Sequence, residues 1–398
     1  MRKLLVLSAA LLLVLLSGCS DNTVVLNSIS KEVKSEFAPD RRDKTFETKF
    51  TNVDGKWVLY GSTTEAEAKD ALLKRIAEEN IDVLDSMVVL PHPDMGDKIY
   101  AIAAHSVANL RYEANYSSEM ATQVLMGTPL KVLEKKSYWY RVVTPEGYIA
   151  WVTVGSVQRV NEEELTAWRN SERVIVDTYY TIFRDKPSKD GGVICDGVWG
   201  DIAQVSPKRP VNGYQEVILP KGDIAYVPVK DIKPLDKWLD SRNPTPENII
   251  NTGKQFLGFP YLWAGTSIKG LDCSGFVKTS HFLNGIILRR DASQQAKVGE
   301  EIDITNGIEN LKTGDILFFG RKATADKPAR VTHVGMYIGD GLFIHSATFV
   351  KINSLVPGTD NFYDGTMVCA RRITGMQDTI FGLWSIANHP WYFNVENK

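Results

Sequence analysis

The sequence predicts an α+β protein of several domains, and three observations predict it. The chain has 398 residues, well beyond the roughly 100–200 of one domain. Its middle, residues 105–235, breaks into short runs rich in β-branched and aromatic residues between tight turns, the rhythm of small β-barrels. Its last third sets helical patterns, at 247–257 and just after Cys273, ahead of strand patterns at 331–338 and 342–347.

From the amino end, Met1-Arg2-Lys3 is basic and 4–16 is almost wholly apolar. A bilayer span takes about 20 apolar residues, so residues 1–19 have the layout of a secretory signal instead. The closing Leu16-Ser17-Gly18-Cys19 resembles the processing box of bacterial lipoproteins. The resemblance implies a mature chain that starts at a lipid-bearing Cys19. It would be exported and anchored to a bacterial membrane, facing the periplasm or the cell surface.

Residues 20–37 are expected to be a polar tether. Residues 38–104 form a small α/β unit. In it, strands at 46–50 and 57–60 flank the turn Asp54-Gly55, and a helix at 64–80 presents Ala68, Leu72 and Ile76 on one face. A further strand follows at 83–90, and His92 sits between two prolines as a solvated loop residue. Five short strands between 108 and 152 make the first barrel, residues 105–160. Asn161 caps a linking helix. Residues 171–235 repeat the strand rhythm less regularly and are taken as a second barrel. A linker leads to Pro246, which suits the first helical position of the domain at 244–398.

The formal net charge of −2 and the lack of a long basic run exclude a nucleic-acid polymer as the natural partner. The chain has 4 cysteines, too few for a disulfide framework once Cys19 is lipidated. Cys195 and Cys369 are expected to be small buried hydrophobes. Cys273 differs. Asp272 and Ser274 sit where N-cap residues belong, so Cys273 begins a helix whose free N–H groups and dipole favour a thiolate. Two candidate bases, His333 and His345, lie on strands joined by the turn Gly339-Asp340-Gly341. A thiol active site fits this pattern. A zinc site would need a fourth ligand at metal spacing, and none is apparent, so no metal and no cofactor is expected. His281 would lie about 12 Å along the helix axis from Cys273, too far for proton transfer, and like His389 is expected at the surface. Arg290 and Asp291 are expected to form an internal ion pair.

Six stretches occur in the order seen in NlpC/P60 cysteine peptidases. They are Tyr261-Leu262-Trp263-Ala264-Gly265-Thr266, Asp272-Cys273-Ser274-Gly275-Phe276, Arg290-Asp291-Ala292-Ser293-Gln294-Gln295, Gly314-Asp315-Ile316-Leu317-Phe318-Phe319, Thr332-His333-Val334-Gly335-Met336-Tyr337 and Ile344-His345-Ser346. Residues 244–372 resemble that family. The resemblance implies a papain-like catalytic domain with Cys273 as nucleophile, His333 as base and His345 as the third, orienting residue. Ser106-Val107-Ala108-Asn109-Leu110-Arg111 and Gly147-Tyr148-Ile149-Ala150-Trp151-Val152 resemble bacterial SH3-like domains, and 171–235 looks like a divergent second copy.

The overall order resembles γ-D-glutamyl-L-diamino acid endopeptidases of murein peptide recycling. That implies hydrolysis, through a thioester, of cell-wall peptides with a free N-terminal L-alanine, in a cleft closed at one end by the first barrel. It also implies substrate contacts. Asp272, Glu113 and Tyr148 would face the ammonium group, Ser274 and Trp263 would line the cleft, and Ser293 would be a further contact. Two other readings stand beside it: an anchored endopeptidase acting on intact peptidoglycan, or a wall-binding lipoprotein without activity.

Overall fold

The computed structural model describes residues 7–394, with side chains from Asn22 onward, and divides into two units, Met1–Gly96 and Asp97–Lys398. The expected signal segment and Cys19 fall outside the residues whose side chains are described. Among the described residues, no helix is long and apolar enough to cross a membrane.

The first unit runs α1 (Leu7–Phe37), β1 (Phe46–Val53), β2 (Lys56–Thr63), α2 (Ala66–Glu78) and β3 (Val83–Val89). The β1–β2 hairpin turns at Asp54 and Gly55, both at positive φ, and α2 carries the chain across to β3, which pairs parallel to β2. The expected α/β unit is therefore present, but residues 20–37 are not a tether. Leu26, Ile29 and Val33 are buried against Ala68, Leu72 and Ile76 of α2 and Phe46, Trp57 and Leu59 of the sheet. Three apolar residues at helical spacing suffice to dock a helix, and the polar residues between them disguise it in the sequence.

The second unit holds two seven-stranded sheets and a catalytic layer. The first sheet comprises β4 (Tyr100–Ala103), β5 (Val107–Arg111), β6 (Met120–Leu125), β7 (Pro129–Lys136), β8 (Trp139–Val143), β9 (Ile149–Thr153) and β10 (Val157–Val160). The linking helix α3 (Glu162–Asn170) starts at a capping box of Asn161 and Glu164. The second sheet comprises β11 (Arg173–Val176), β12 (Tyr180–Arg184), β13 (Val193–Val198), β14 (Ile202–Val205), β15 (Tyr214–Ile218), β16 (Ile224–Pro228) and β17 (Ile232–Pro234).

The strand orders are β10-β4-β7-β8-β9-β5-β6 and β13-β12-β16-β15-β14-β11-β17. Raising every number in the first by seven and reversing the list gives the second, so both segments follow one topology. Each order has two end strands and is not a closed ladder. The sheets meet at Asp201, a buried carboxylate that accepts the backbone N–H groups of Met126 and Val198 at 3.0 and 2.8 Å.

The catalytic layer begins with α4 (Leu235–Asp240) and α5 (Pro246–Lys254), the latter capped by Thr245 with Pro246 at its first turn. Next come β18 (Thr266–Ser267), β19 (Gly270–Leu271), α6 (Cys273–Phe282), β20 (Ile286–Leu288) and α7 (Ala292–Gln295). A six-stranded sheet follows from β21 (Glu300–Ile302), β22 (Ile316–Arg321), β23 (Arg330–Gly339), β24 (Leu342–Ala347), β25 (Phe349–Ser354) and β26 (Met367–Arg372), in the order β21-β26-β22-β23-β24-β25. A short strand, β27 (Leu383–Ser385), returns to pair with β20.

Helix α6 is wrapped on nearly all sides. Phe276 and Val277 join Phe318, Val334, Met336 and Ile344 of the sheet in one core. This overturns the surface placement of two histidines. His281 is 1% exposed and His389 is 5% exposed. His281 Nδ1 bonds the Val277 carbonyl of its own helix at 2.7 Å, and His389 Nε2 lies 3.1 Å from the Pro145 carbonyl in the first sheet's β8–β9 turn. Cys195 and Cys369 are only half-buried.

Candidate active site

The site forms where the first turn of α6 abuts β23 and β24. Asp272 takes the extended conformation of an N-cap (φ −82°, ψ −179°), and its Oδ1 accepts the Gly275 N–H at 2.6 Å. Cys273 is thus the first helical residue, 7% exposed. Gly275 is required there, because a Cβ would fall 1.9 Å from the Gly265 carbonyl oxygen. That close approach clamps the aromatic loop 259–265 onto the nucleophile's helix.

His333, on β23, places Nε2 2.6 Å from His345 Nδ1 on β24, and His345 Nε2 lies 2.8 Å from Asn353 Oδ1 on β25. The rings of Phe343 and Tyr363 flank the pair, with centroids 4.6 and 5.2 Å from His345. Burial pushes the Cys273 thiol up to about 12, and the Asp272 charge adds to the shift, while the Val334 and Ser274 backbone N–H groups oppose it. Burial also lowers His333 to about 3, reinforced by His345, and His345 to about 4. Both shifts favour the neutral forms of the thiol on α6 and the imidazole on β23. Burial thus works against a standing thiolate, and a nucleophile at this position calls for a base within the site.

Asp272 departs from its expected role. Besides Gly275, it accepts from Ala264 N (2.9 Å), Ser274 Oγ (3.2 Å) and Arg290 Nη1 and Nη2 (3.2 and 2.6 Å). A carboxylate offers about four lone-pair sites, so none remains for a substrate ammonium. The main ion pair of Arg290 is likewise with Asp272, since its Nη1 is 3.8 Å from Asp291. Ser274 Oγ accepts from Arg290 Nη1 at 2.8 Å, and both side chains are buried. Tyr148 is 1% exposed, with its hydroxyl 3.0 Å from that of Tyr112 and donating to Asp291 Oδ2 at 3.2 Å. It belongs to the seam between first sheet and catalytic layer, not to an open wall. Ser293 is half-buried in the first turn of α7, whose cap is Asp291. Glu113 is exposed on the 112–119 loop.

Trp263 is 58% exposed, with its indole N–H bonded to Glu119 Oε1 of the first sheet's loop at 2.8 Å. It stands at the surface rather than in the core. The seam continues through Gln123, whose Oε1 accepts the Thr266 N–H at 2.9 Å, and an ion pair of the half-buried Lys278 with the buried Glu146 at 3.0 Å. Sequence reasoning missed Glu119, Gln123, Asn353 and the half-buried Tyr261 and Tyr363. For both tyrosines, burial and then the neighbouring Cys273 raise the hydroxyl pKa. Only Tyr261 carries a local signal, the aromatic run at 259–263. The others depend on strand register.

The buried histidines have a consequence for stability. Burial lowers His281 to about 4 and lowers His389 as well, as in the catalytic pair. An unfolded histidine titrates near about 6.5. Below that pH the unfolded chain takes protons that the folded chain refuses, so this stability is complete above about 6.5 and is lost as pH falls through the folded values. Asp201, raised by burial, acts with the opposite sign: its stability is present at low pH and lost as pH rises through its folded value. The unfolding free energy is expected to fall between pH 6.5 and 4. His281→Gln should flatten that slope by up to about 1.4 kcal/mol per pH unit, as measured by urea titrations across this range.

A model of the NlpC/P60 family matches residues 258–372, and one of the bacterial SH3 domain matches residues 106–158. The chain is 33% identical over 264 residues to a protein of Bacillus cereus named gamma-D-glutamyl-L-lysine dipeptidyl-peptidase, covering 64% of this chain and 76% of that one. A Bacillus subtilis protein of the same name is 28% identical, with 63% and 80% covered. The crystal structure of an NlpC/P60 family protein from Bacillus cereus superposes with a TM-score of 0.56 at 27% identity, covering 69% of this chain and 99% of that one. With the thiol at the head of α6 and two imidazoles on neighbouring strands, the shared length leaves one assignment: the chain belongs to the NlpC/P60 family of cysteine peptidases.

Proposed function

We propose that the protein hydrolyses the bond between a γ-D-glutamyl residue and a diamino acid in bacterial cell-wall peptides with a free N-terminal L-alanine. The observation that carries this is the Trp263–Glu119 bond, by which a loop of the SH3-like module is fastened to the aromatic loop that leads into the nucleophile's helix. A module fastened so near the thiol would wall one end of a substrate site, which suits the end of a short peptide better than a continuous polymer. The names of the Bacillus relatives support the same bond. With Asp272 saturated, Glu119 and Glu113 of the module are the carboxylates we assign to meet an L-alanine ammonium.

In this mechanism His333 takes the Cys273 proton, and the sulfur attacks the γ-glutamyl carbonyl carbon. The resulting oxyanion is met by backbone N–H groups at the head of α6. His333 returns the proton to the leaving amine of the diamino acid as the C–N bond breaks, leaving a thioester. Water, deprotonated by His333, then releases the acid and restores the thiol. His345 holds the His333 ring throughout.

The second sheet is read as a divergent copy of the SH3-like module, on the ground of its matching strand order. Anchoring by lipid at Cys19 belongs to the same proposal. It predicts fatty-acid labelling in cells that Cys19→Ser removes.

The deciding experiment supplies intact sacculi and free L-Ala-γ-D-Glu-diamino acid tripeptide side by side. Release of the dipeptide from the free tripeptide alone is the expected result. Equal cleavage of intact sacculi would replace this reading with that of a wall endopeptidase. An N-acetylated tripeptide should be cleaved at least about 100-fold less well, through loss of a charge-assisted contact.

A further inference from the structure

Strand β25 pairs antiparallel with β24 in a register that sets Lys351 opposite His345 and Asn353 opposite Phe343. Asn353 therefore lies diagonally across from the second imidazole. Its Nδ2 donates to the Asn361 carbonyl at 2.6 Å, which fixes the amide and turns Oδ1 toward His345 Nε2, 2.8 Å away. That oxygen can only accept, so His345 Nε2 carries a proton. A neutral imidazole has one N–H, so His345 Nδ1 is bare. The proton in the 2.6 Å contact between the rings then belongs to His333 Nε2. His333 Nδ1 is left as the nitrogen able to accept the thiol proton. Each assignment forces the next, and the chain of acceptors ends at Asn353. The loop that supplies the Asn361 carbonyl also carries Tyr363, whose ring covers both imidazoles at 5.7 and 5.2 Å.

We propose that Asn353 is a positioning residue for the reaction, which fixes the tautomers of His345 and His333 so that His333 presents a bare Nδ1 to Cys273. The inference concerns the peptidase machinery and does not depend on which wall peptide is cut.

It is tested on the full chain labelled with 15N-histidine, by long-range 1H–15N spectra without substrate. The native protein should show both rings protonated at Nε2. In Asn353→Leu, His345 should populate the Nδ1–H form and drive His333 toward Nδ1–H. The rate of Cys273 alkylation by iodoacetamide near neutral pH and kcat should each fall about 10–100-fold with KM unchanged, since a wrong tautomer disables a general base. Asn353→Asp keeps an acceptor and should retain both tautomers. Its added charge should move the acid limb of the alkylation profile to higher pH, against a fixed background of Lys351 from β25 and Asp272 at the cap of α6, the charges that also act on His333. Native tautomers and undiminished alkylation in folded Asn353→Leu would overturn the proposal. If that variant does not fold, an unmoved acid limb in Asn353→Asp overturns it. Because the spectra and alkylation need no peptide, an error in the proposed substrate would leave them unchanged and would show only in turnover.

Discussion

Cys273→Ala is expected to abolish peptide hydrolysis, by about 10⁴-fold or more, while leaving the fold intact. The other acyl-forming group in the first turn of α6, the Ser274 hydroxyl, is buried and tied to Asp272 and Arg290, so it is not expected to substitute for the sulfur. Alanine suits a first helical turn, and the lost volume at this 7%-exposed position is a single atom. The stability change should therefore stay within about 1–2 kcal/mol. His333→Ala separates the two halves of the nucleophile. Burial and the Asp272 charge push the Cys273 thiol up to about 12, so without the imidazole to take its proton the sulfur should resist iodoacetamide at pH 7 and react only in strong alkali. Turnover that survives in Cys273→Ala, at a melting temperature matching the native protein, would exclude the thioester route.

How much of this was legible in the sequence depends on the range of the interaction. The head of α6 was, because the cap and the first helical residue act within one or two positions of Cys273, whereas the packing of Gly275 against Gly265 was not. The two histidines were, because a short turn between strands leaves few registers. Leu26, Ile29 and Val33 were missed as a docked helix, since three apolar residues among polar ones look solvated until α2 and the sheet supply the other wall. His281 was misplaced because helical spacing gives distance along an axis and says nothing of what covers it, and His389 because its cover, the Pro145 turn, lies 244 residues away. Asp272 and Tyr148 kept their places but not their roles. Arg290 fills the first, and the seam to the catalytic layer buries the second. Side-chain partners that lie 143 or more residues apart, such as Trp263 with Glu119 and Arg290 with Thr122, leave no local pattern to read.

Arg290→Met should be the most destabilising single change near the site. The guanidinium is 1% exposed in its side chain. Burial works against its charge, but the carboxylates of Asp272 and Asp291 overcome that and raise its pKa. Its Nη atoms clasp Asp272 and Ser274, and its Nε donates to Thr122 Oγ1 on β6 at 2.9 Å, so one side chain joins the SH3-like module to the cap of the nucleophile's helix. Methionine fills similar space but leaves Asp272 as a buried charge held only by neutral donors. Removing one partner of a buried ion pair costs about 3–5 kcal/mol. Lysine, lacking the planar fork, should recover little of this. Adding Asp272→Asn to Arg290→Met removes the orphaned charge and should restore part of the stability, while turnover stays low because Cys273 has lost its rigid cap. Urea unfolding and kcat/KM, measured on the single and double variants, separate these effects. Native stability in Arg290→Met alone would mean that the clasp does not hold the nucleophile in place.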